Sequence, residues 1–112
     1  MGENKRGRAS FVLPKPPVIT AWASVAGKKE SQGPLGHCFD RTSQDTFFGQ
    51  KTWEQAEKAM QETALGLLLQ KANLQRFDLD LVLSGDLLNQ CIGSAFSVRK
   101  TGLPHLGLYG AC

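Results

Sequence analysis

This sequence of 112 residues has few of the side chains that carry most recognisable chemistry. Its cysteines are Cys38, Cys91 and Cys112. Their number is odd, their spacing is wide and no CxxC pair occurs, which argues against a disulfide framework and a structural zinc site. A reducing compartment is therefore expected. His37 and His105 are the two histidines. No apolar run approaches the roughly 20 residues of a membrane-spanning helix. The apolar stretch FVLPKPPVITAWASVAG is broken by Pro14, Pro16 and Pro17, so it does not read as a secretory signal. The expectation is a protein that is not secreted and whose membrane association is peripheral. Net charge is also low: the value is +3, and most of the excess lies in MGENKRGR, where Lys5, Arg6 and Arg8 face Glu3. A basic tail can touch nucleic acid or anionic lipid, but a solvated terminus is the plainer reading. No aromatic residues interleave with those charges, so no nucleic-acid partner is expected.

What is present describes a small globular chain, with 41% hydrophobic and 21% charged residues. Residues 1–10 read as a flexible basic tail and residues 11–112 as one domain. SFVLPKPPVITAWASVAG reads as a bent edge strand or two short strands around the prolines. GKKESQGPLGHCFDRTSQDTFFGQK reads as a long irregular loop. TWEQAEKAMQETALGLLLQKAN turns helical. Thr52 and Gln55 fit a capping box, and Trp53, Ala56, Met60, Ala64, Leu67 and Leu68 recur at helical spacing. Leu65 and Leu69 widen that stripe, so the second half of the helix is expected to be well buried.

FDLDLVLSGD follows as an apolar strand of the kind covered on both faces in a parallel sheet. LLNQCIGSAFSVRKTGLP reads as a second helix, which Asp86 can cap and Gly102 can end. HLGLYGAC reads as the next strand. The order strand, helix, strand, helix, strand predicts an α/β fold with a mostly parallel sheet and right-handed crossovers.

Ligands of open α/β sheets bind beyond the carboxyl ends of the strands. Two such ends are SGDLLNQ and YGAC. A cysteine in a strand–turn such as Gly110-Ala111-Cys112 can be presented as a nucleophile, or it can be a buried structural residue. Asn89 and Gln90 can face a ligand or a partner subunit, or simply pack. Asp86 alone does not make a calcium site, since calcium takes six or more oxygens. His37 can donate to an anion or to a calcium-bound carboxylate, although a lone loop histidine is more often a structural donor. Cys38 and Cys91 read as small apolar residues.

SVRKTGLPHLGLYGAC resembles the segment leading to the active cysteine in the thiolase and ketoacyl-synthase superfamily. GPLGHCFD, TWEQAE, LSGDLLNQ and LYGAC, in that order, resemble the stage V sporulation protein AD family over about residues 10–112. The resemblance implies an incomplete N-terminal portion of a thiolase-like fold, truncated at Cys112, which stands at the position of the superfamily's nucleophile. It implies a non-catalytic protein that binds dipicolinic acid, with calcium, for uptake into the developing spore. Cys112 then lines the ligand pocket, with His37, Asn89 and Gln90 as further candidates, and no cofactor or resident metal is expected. The alternative is an acyltransferase or condensing enzyme using Cys112, but neither His37 nor His105 matches a catalytic histidine of the superfamily. The implied location is the cytoplasm or forespore, at the spore inner membrane, with sporulation channel proteins as partners. Pairing through HLGLYG implies a homodimer of the full-length form. A chain stopping at Cys112 is expected to expose apolar surface.

Overall fold

The computed structural model describes residues 4–88 and 90–110. Its first elements are short strands, β1 (Lys5–Arg6) and β2 (Ser10–Phe11), paired antiparallel. This pairing lies where the sequence reads as tail. The proline-rich stretch after β2 runs without regular structure to β3 (Val25–Ala26), so the expected strand is reduced to two residues at each end. Proline removes ladder donors, and Pro14, Pro16 and Pro17 fall in the middle of the stretch.

The segment expected to be irregular holds more structure than its composition suggests. It contains a single helical turn, α1 (Lys28–Ser31), a 3-10 turn at Gly36–Cys38, and β4 (Arg41–Thr42), which pairs parallel with β3. A side-chain tie holds this pair to the rest. Asp40 accepts from the Ser24 N–H at 2.8 Å and from the Lys71 ammonium at 2.8 Å. The Lys71 bond, followed by the Ser24 N–H, holds the Asp40 carboxyl below the usual carboxylate range. Lys71 also lies over the Trp22 ring, 5.9 Å from its centroid. Farther along, Asp45 accepts from the Phe47 and Gly49 N–H groups, and Phe47 stacks on Trp53 at 4.2 Å. That loop delivers the chain to the longest helix.

The helix α2 (Trp53–Ala72) begins as its sequence predicts, with Thr52 Oγ1 accepting from the Gln55 N–H at 3.2 Å. The return arm of the capping box reaches one residue further back, where Gln55 accepts from the Lys51 N–H at 3.3 Å. Asn73 ends the helix in the left-handed region. Its apolar stripe is less covered than expected: only Ala56 is buried, Leu65, Leu67, Leu68 and Leu69 are half-buried, and Trp53 is exposed.

After a 3-10 turn at Arg76–Asp78 the chain enters β5 (Val82–Gly85), shorter than the apolar run that encodes it. The following helix, α3, spans only Ile92–Val98, because Leu87, Leu88, Gln90 and Cys91 are not helical. A 3-10 turn at Arg99–Thr101 extends it to Gly102, which takes the expected left-handed stop at φ 70°. β6 (His105–Leu108) then pairs parallel with β5 in the register Leu83↔Leu106 and Gly85↔Leu108.

The described architecture is thus mixed α/β with short parallel sheets. It is not one sheet: β1–β2, β3–β4 and β5–β6 are separate two-stranded pairs. α2 packs against α3 and β3, and α3 packs on β5 and β6. One face of the β5–β6 pair therefore meets the helices. The other is bare, with Leu83, Leu106 and Leu108 exposed, so the strand expected to be covered on both faces is covered on one.

The close approach of α3 to β6 is fixed at Gly107. A Cβ there would stand 3.0 Å from both Cβ and Sγ of Cys91. Gly107→Ala is expected to cost about 1–3 kcal/mol, as other small-to-large changes in packed sites do. Urea unfolding reads this directly. Removing Sγ by Cys91→Ala recovers part of the loss, and a Gly107→Ala protein as stable as the parent contradicts the packing.

Candidate functional site

The parallel register of β5 and β6 sends both carboxyl ends to the same edge of the sheet. The turn 86–91 leaves β5 there, and Tyr109 and Gly110 leave β6 there. Asp86 is the first residue of the turn and is buried. Its carboxyl accepts from the Cys91 N–H at 2.7 Å and from the Ser94 N–H at 2.8 Å. The sequence predicts a cap from Asp86, and this is one, but it acts from five residues before the N-cap position. That position is occupied by Cys91, which makes no side-chain cap bond. Asp86 supplies the oxygen that Ser, Thr or Asn would otherwise provide.

A second carboxyl group enters from α2. Glu57 Oε1 accepts from the Leu87 N–H at 2.8 Å, and Oε2 accepts from the Leu88 N–H at 3.3 Å. Four backbone donors of one short segment are thus taken up by two acids. The close fit requires a missing side chain at Gly93, where a Cβ would stand 3.2 Å from Asp86 Oδ2. The turn pays for its shape: Gln90 and Cys91 are consecutive non-glycine residues at φ 45° and 75°. Conformations of this kind cost about 1–3 kcal/mol each and persist where surrounding contacts impose them.

A polar ladder runs from this turn into the helix interface. Gln61 Nε2 donates to the Gly85 carbonyl at 3.3 Å, and Ser97 Oγ donates to Gln61 Oε1 at 2.9 Å. Ser94, fully buried, donates to the Cys91 carbonyl at 3.1 Å. Across the strands, Ser84 Oγ and His105 Nε2 are hydrogen-bonded at 2.7 Å. Beside Ser84 and Gly85 lies an open cavity of about 360 Å³, lined mainly by apolar side chains of α2, β5 and α3 such as Leu68, Val82 and Val98.

Of the residues singled out in the sequence, Gln90 stands in this turn and is exposed. Asn89 and Cys112 lie outside the described residues. His37 sits exposed on the Gly36–Cys38 turn, with Nε2 3.5 Å from Cys38 Sγ, and no described hydrogen bond ties it to the turn after β5. Among the described residues, no group of three or more His, Cys, Asp or Glu side chains is placed to hold a metal ion. Sequence reasoning missed Glu57. It reads as a favourable acid in the first turns of α2, and its partners lie 30 and 31 residues away.

The family model for stage V sporulation protein AD matches residues 7–112. The chain belongs to that family. It is 41% identical over 106 residues to the stage V sporulation protein AD of Bacillus subtilis strain 168. The match covers 95% of this chain and 31% of that relative, so the chain spans about a third of the relative's length. Membership places the protein among sporulation proteins. The match takes in the whole of α2, the turn 86–91 and both strands that frame it.

The two described thiols differ in environment. Cys38 is exposed and Cys91 is buried. Burial pushes the Cys91 thiol up from its ordinary value, and the nearby Asp86 carboxylate adds to this. Since the thiolate is the reactive form, Cys91 is expected to be inert in the folded protein. With iodoacetamide at pH 8 and mass mapping, Cys38 should react at least about ten-fold faster than Cys91. The difference should vanish in concentrated urea. Equal rates in the native protein contradict the packing of Cys91.

Proposed function

We propose that this chain belongs to a non-catalytic, thiolase-like protein that binds dipicolinic acid, as its calcium complex, and serves its uptake into the developing spore. The observation that carries the proposal is the parallel register of β5 and β6. It brings the turn 86–91 and the end of β6 to one edge, where open α/β sheets take their ligands. Dipicolinic acid is planar, aromatic and doubly anionic. It suits an apolar slot with a few converging polar groups, and the cavity beside Gly85 has apolar walls. Glu57 and Asp86 stand behind the same turn. Two acids there oppose a bare dianion and favour its neutral calcium complex. Gln90 is exposed after β5 and is a candidate to meet the ligand, together with Asn89, Cys112 and His37.

The same reading places the protein in the cytoplasm or forespore, peripheral to the spore inner membrane, beside other sporulation channel proteins. No helix among the described residues is long and apolar enough to cross a membrane. β6 pairs only with β5 among the described strands, and its second edge offers a route to a homodimer of the full-length form. Titration of the protein with dipicolinate, with and without equimolar calcium, tests the reading by tryptophan fluorescence or calorimetry. Saturable binding strengthened by calcium is expected, with no acyl group transferred to Cys112 from acyl-coenzyme A. Absence of saturable binding up to millimolar ligand overturns the reading, and acyl labelling of Cys112 overturns its non-catalytic part.

A further inference from the structure

We infer that residues 4–22 form a docking surface for an anionic lipid bilayer: the β1–β2 hairpin brings cations to the phosphate layer, and the proline-rich strap after it sets apolar side chains into the layer beneath. The inference names the surface behind the peripheral placement proposed above and uses nothing of the dipicolinate site. Charge is the first observation. Residues 4–27 hold Lys5, Arg6, Arg8 and Lys15 and no acid, so these four cations alone exceed the net +3 of the whole chain. The hairpin gathers three of them. Lys5 stands opposite Phe11 and Arg6 opposite Ser10, and Arg8 lies in the turn between the strands. The Val12 N–H donates to the Asn4 carbonyl at 2.7 Å beyond that pairing. Directly opposed residues of an antiparallel pair share a face, so the Lys5 ammonium and the Phe11 ring lie on one side. In the sequence the basic run is free of aromatic residues, and the strand pairing is what brings one to it.

The second observation is apolar exposure. Every residue from 4 to 20 is exposed. Phe11 is 68% exposed, Trp22 70% and Ile19 86%, and more than half of Val12 and of Leu13 is open as well. Pro14, Pro16 and Pro17 keep the strap out of any strand ladder. Apolar area and cations on one surface are the two signals that peripheral membrane binding combines. A second copy of the chain would bring the same four cations and be repelled. A nucleic-acid strand wants aromatic platforms under successive bases, whereas this surface is mainly aliphatic.

The test is sedimentation of the 112-residue chain with vesicles of phosphatidylcholine, alone or mixed with phosphatidylglycerol. A Lys or Arg near an anionic surface strengthens binding roughly five-fold, so the mixed vesicles should bind at least about 100-fold more tightly. Salt at about 0.5 M should remove most of that difference. Lys5→Gln with Arg6→Gln is expected to weaken binding about 25-fold. Phe11→Ser with Ile19→Ser should weaken it at least about ten-fold. Arg41→Gln with Lys51→Gln removes the same charge from exposed positions outside the segment and should cost less than about three-fold. Equal binding to both vesicles, or none, overturns the inference. So do equal losses from the two charge pairs, or no loss from the apolar pair. Tighter binding to a single-stranded oligonucleotide than to the mixed vesicles reassigns the surface to nucleic acid. None of these results bears on dipicolinate titration, and a chain that fails to bind dipicolinate leaves the lipid surface standing.

Discussion

The carboxyl group of Asp86 decides how the second half of the chain is built. β5 must end and α3 must begin within a few residues, and α3 has only seven. A helix that short does not stand by itself in water, because nucleation costs more than its few hydrogen bonds return. Its N-cap position holds Cys91, which offers no acceptor to the orphan N–H groups. Asp86 takes two of the backbone donors from one side, and Glu57 ties the preceding turn to α2 from the other. The Cys91 and Ser94 donors are buried, and a buried donor left without a partner costs about 1–3 kcal/mol, so losing Asp86 is expensive on the scale of a small domain's stability, whereas the Leu87 and Leu88 donors held by Glu57 are exposed and cost less to release. The close contacts at Gly93 and Gly107 follow from the same demand that α3 lie against its cap and its strand.

This polar clamp matters more here because the apolar core is slight. The buried hydrophobic residues described are Ala26, Ala56, Cys91 and Val98, and the largest fully buried side chain is Ser94. Leu83, Leu106 and Leu108 lie open on the far face of the sheet, and Val18 and Ile19 are at least four-fifths exposed. The radius of gyration is 16.1 Å, against about 13 Å for a compact domain of this length. Hydrogen bonds between α2, β5 and α3 therefore carry an unusual share of the organisation. A structure held this way keeps a strained turn in place through directional bonds more than through packing, which is a suitable basis for a recognition element at the edge of the sheet.

Much of this was legible in the residues. Thr52 and Gln55 mark the start of α2, and Asn73 falls at its end. Gly102 and Pro104 mark the stop after α3, and HLGL becomes β6 paired parallel to β5. These signals are local, and local chemistry decides them. The failures are of a different kind. The two-residue strands β3 and β4 depend on pairing with each other across an intervening loop, which no periodicity records. The apolar run of α2 predicts burial, but burial needs a partner surface, and only part of the stripe meets one. Asp86 was legible as a cap, yet the delayed start of α3 was not, because nothing local shows that Gln90 and Cys91 take left-handed conformations. Glu57 was invisible for the same reason: its role exists only once α2 and β5 are side by side.

Amide hydrogen exchange at Leu87, Leu88, Cys91 and Ser94 tests the central claim most directly. These four N–H groups belong to or adjoin a surface turn, where exchange would ordinarily be fast. If the two carboxyl groups hold the turn, all four amides exchange as slowly as those in the middle of α2, and they slow together. Exchange at the rate of the exposed irregular segment around Val18 and Ile19, with only α2 protected, would contradict the account.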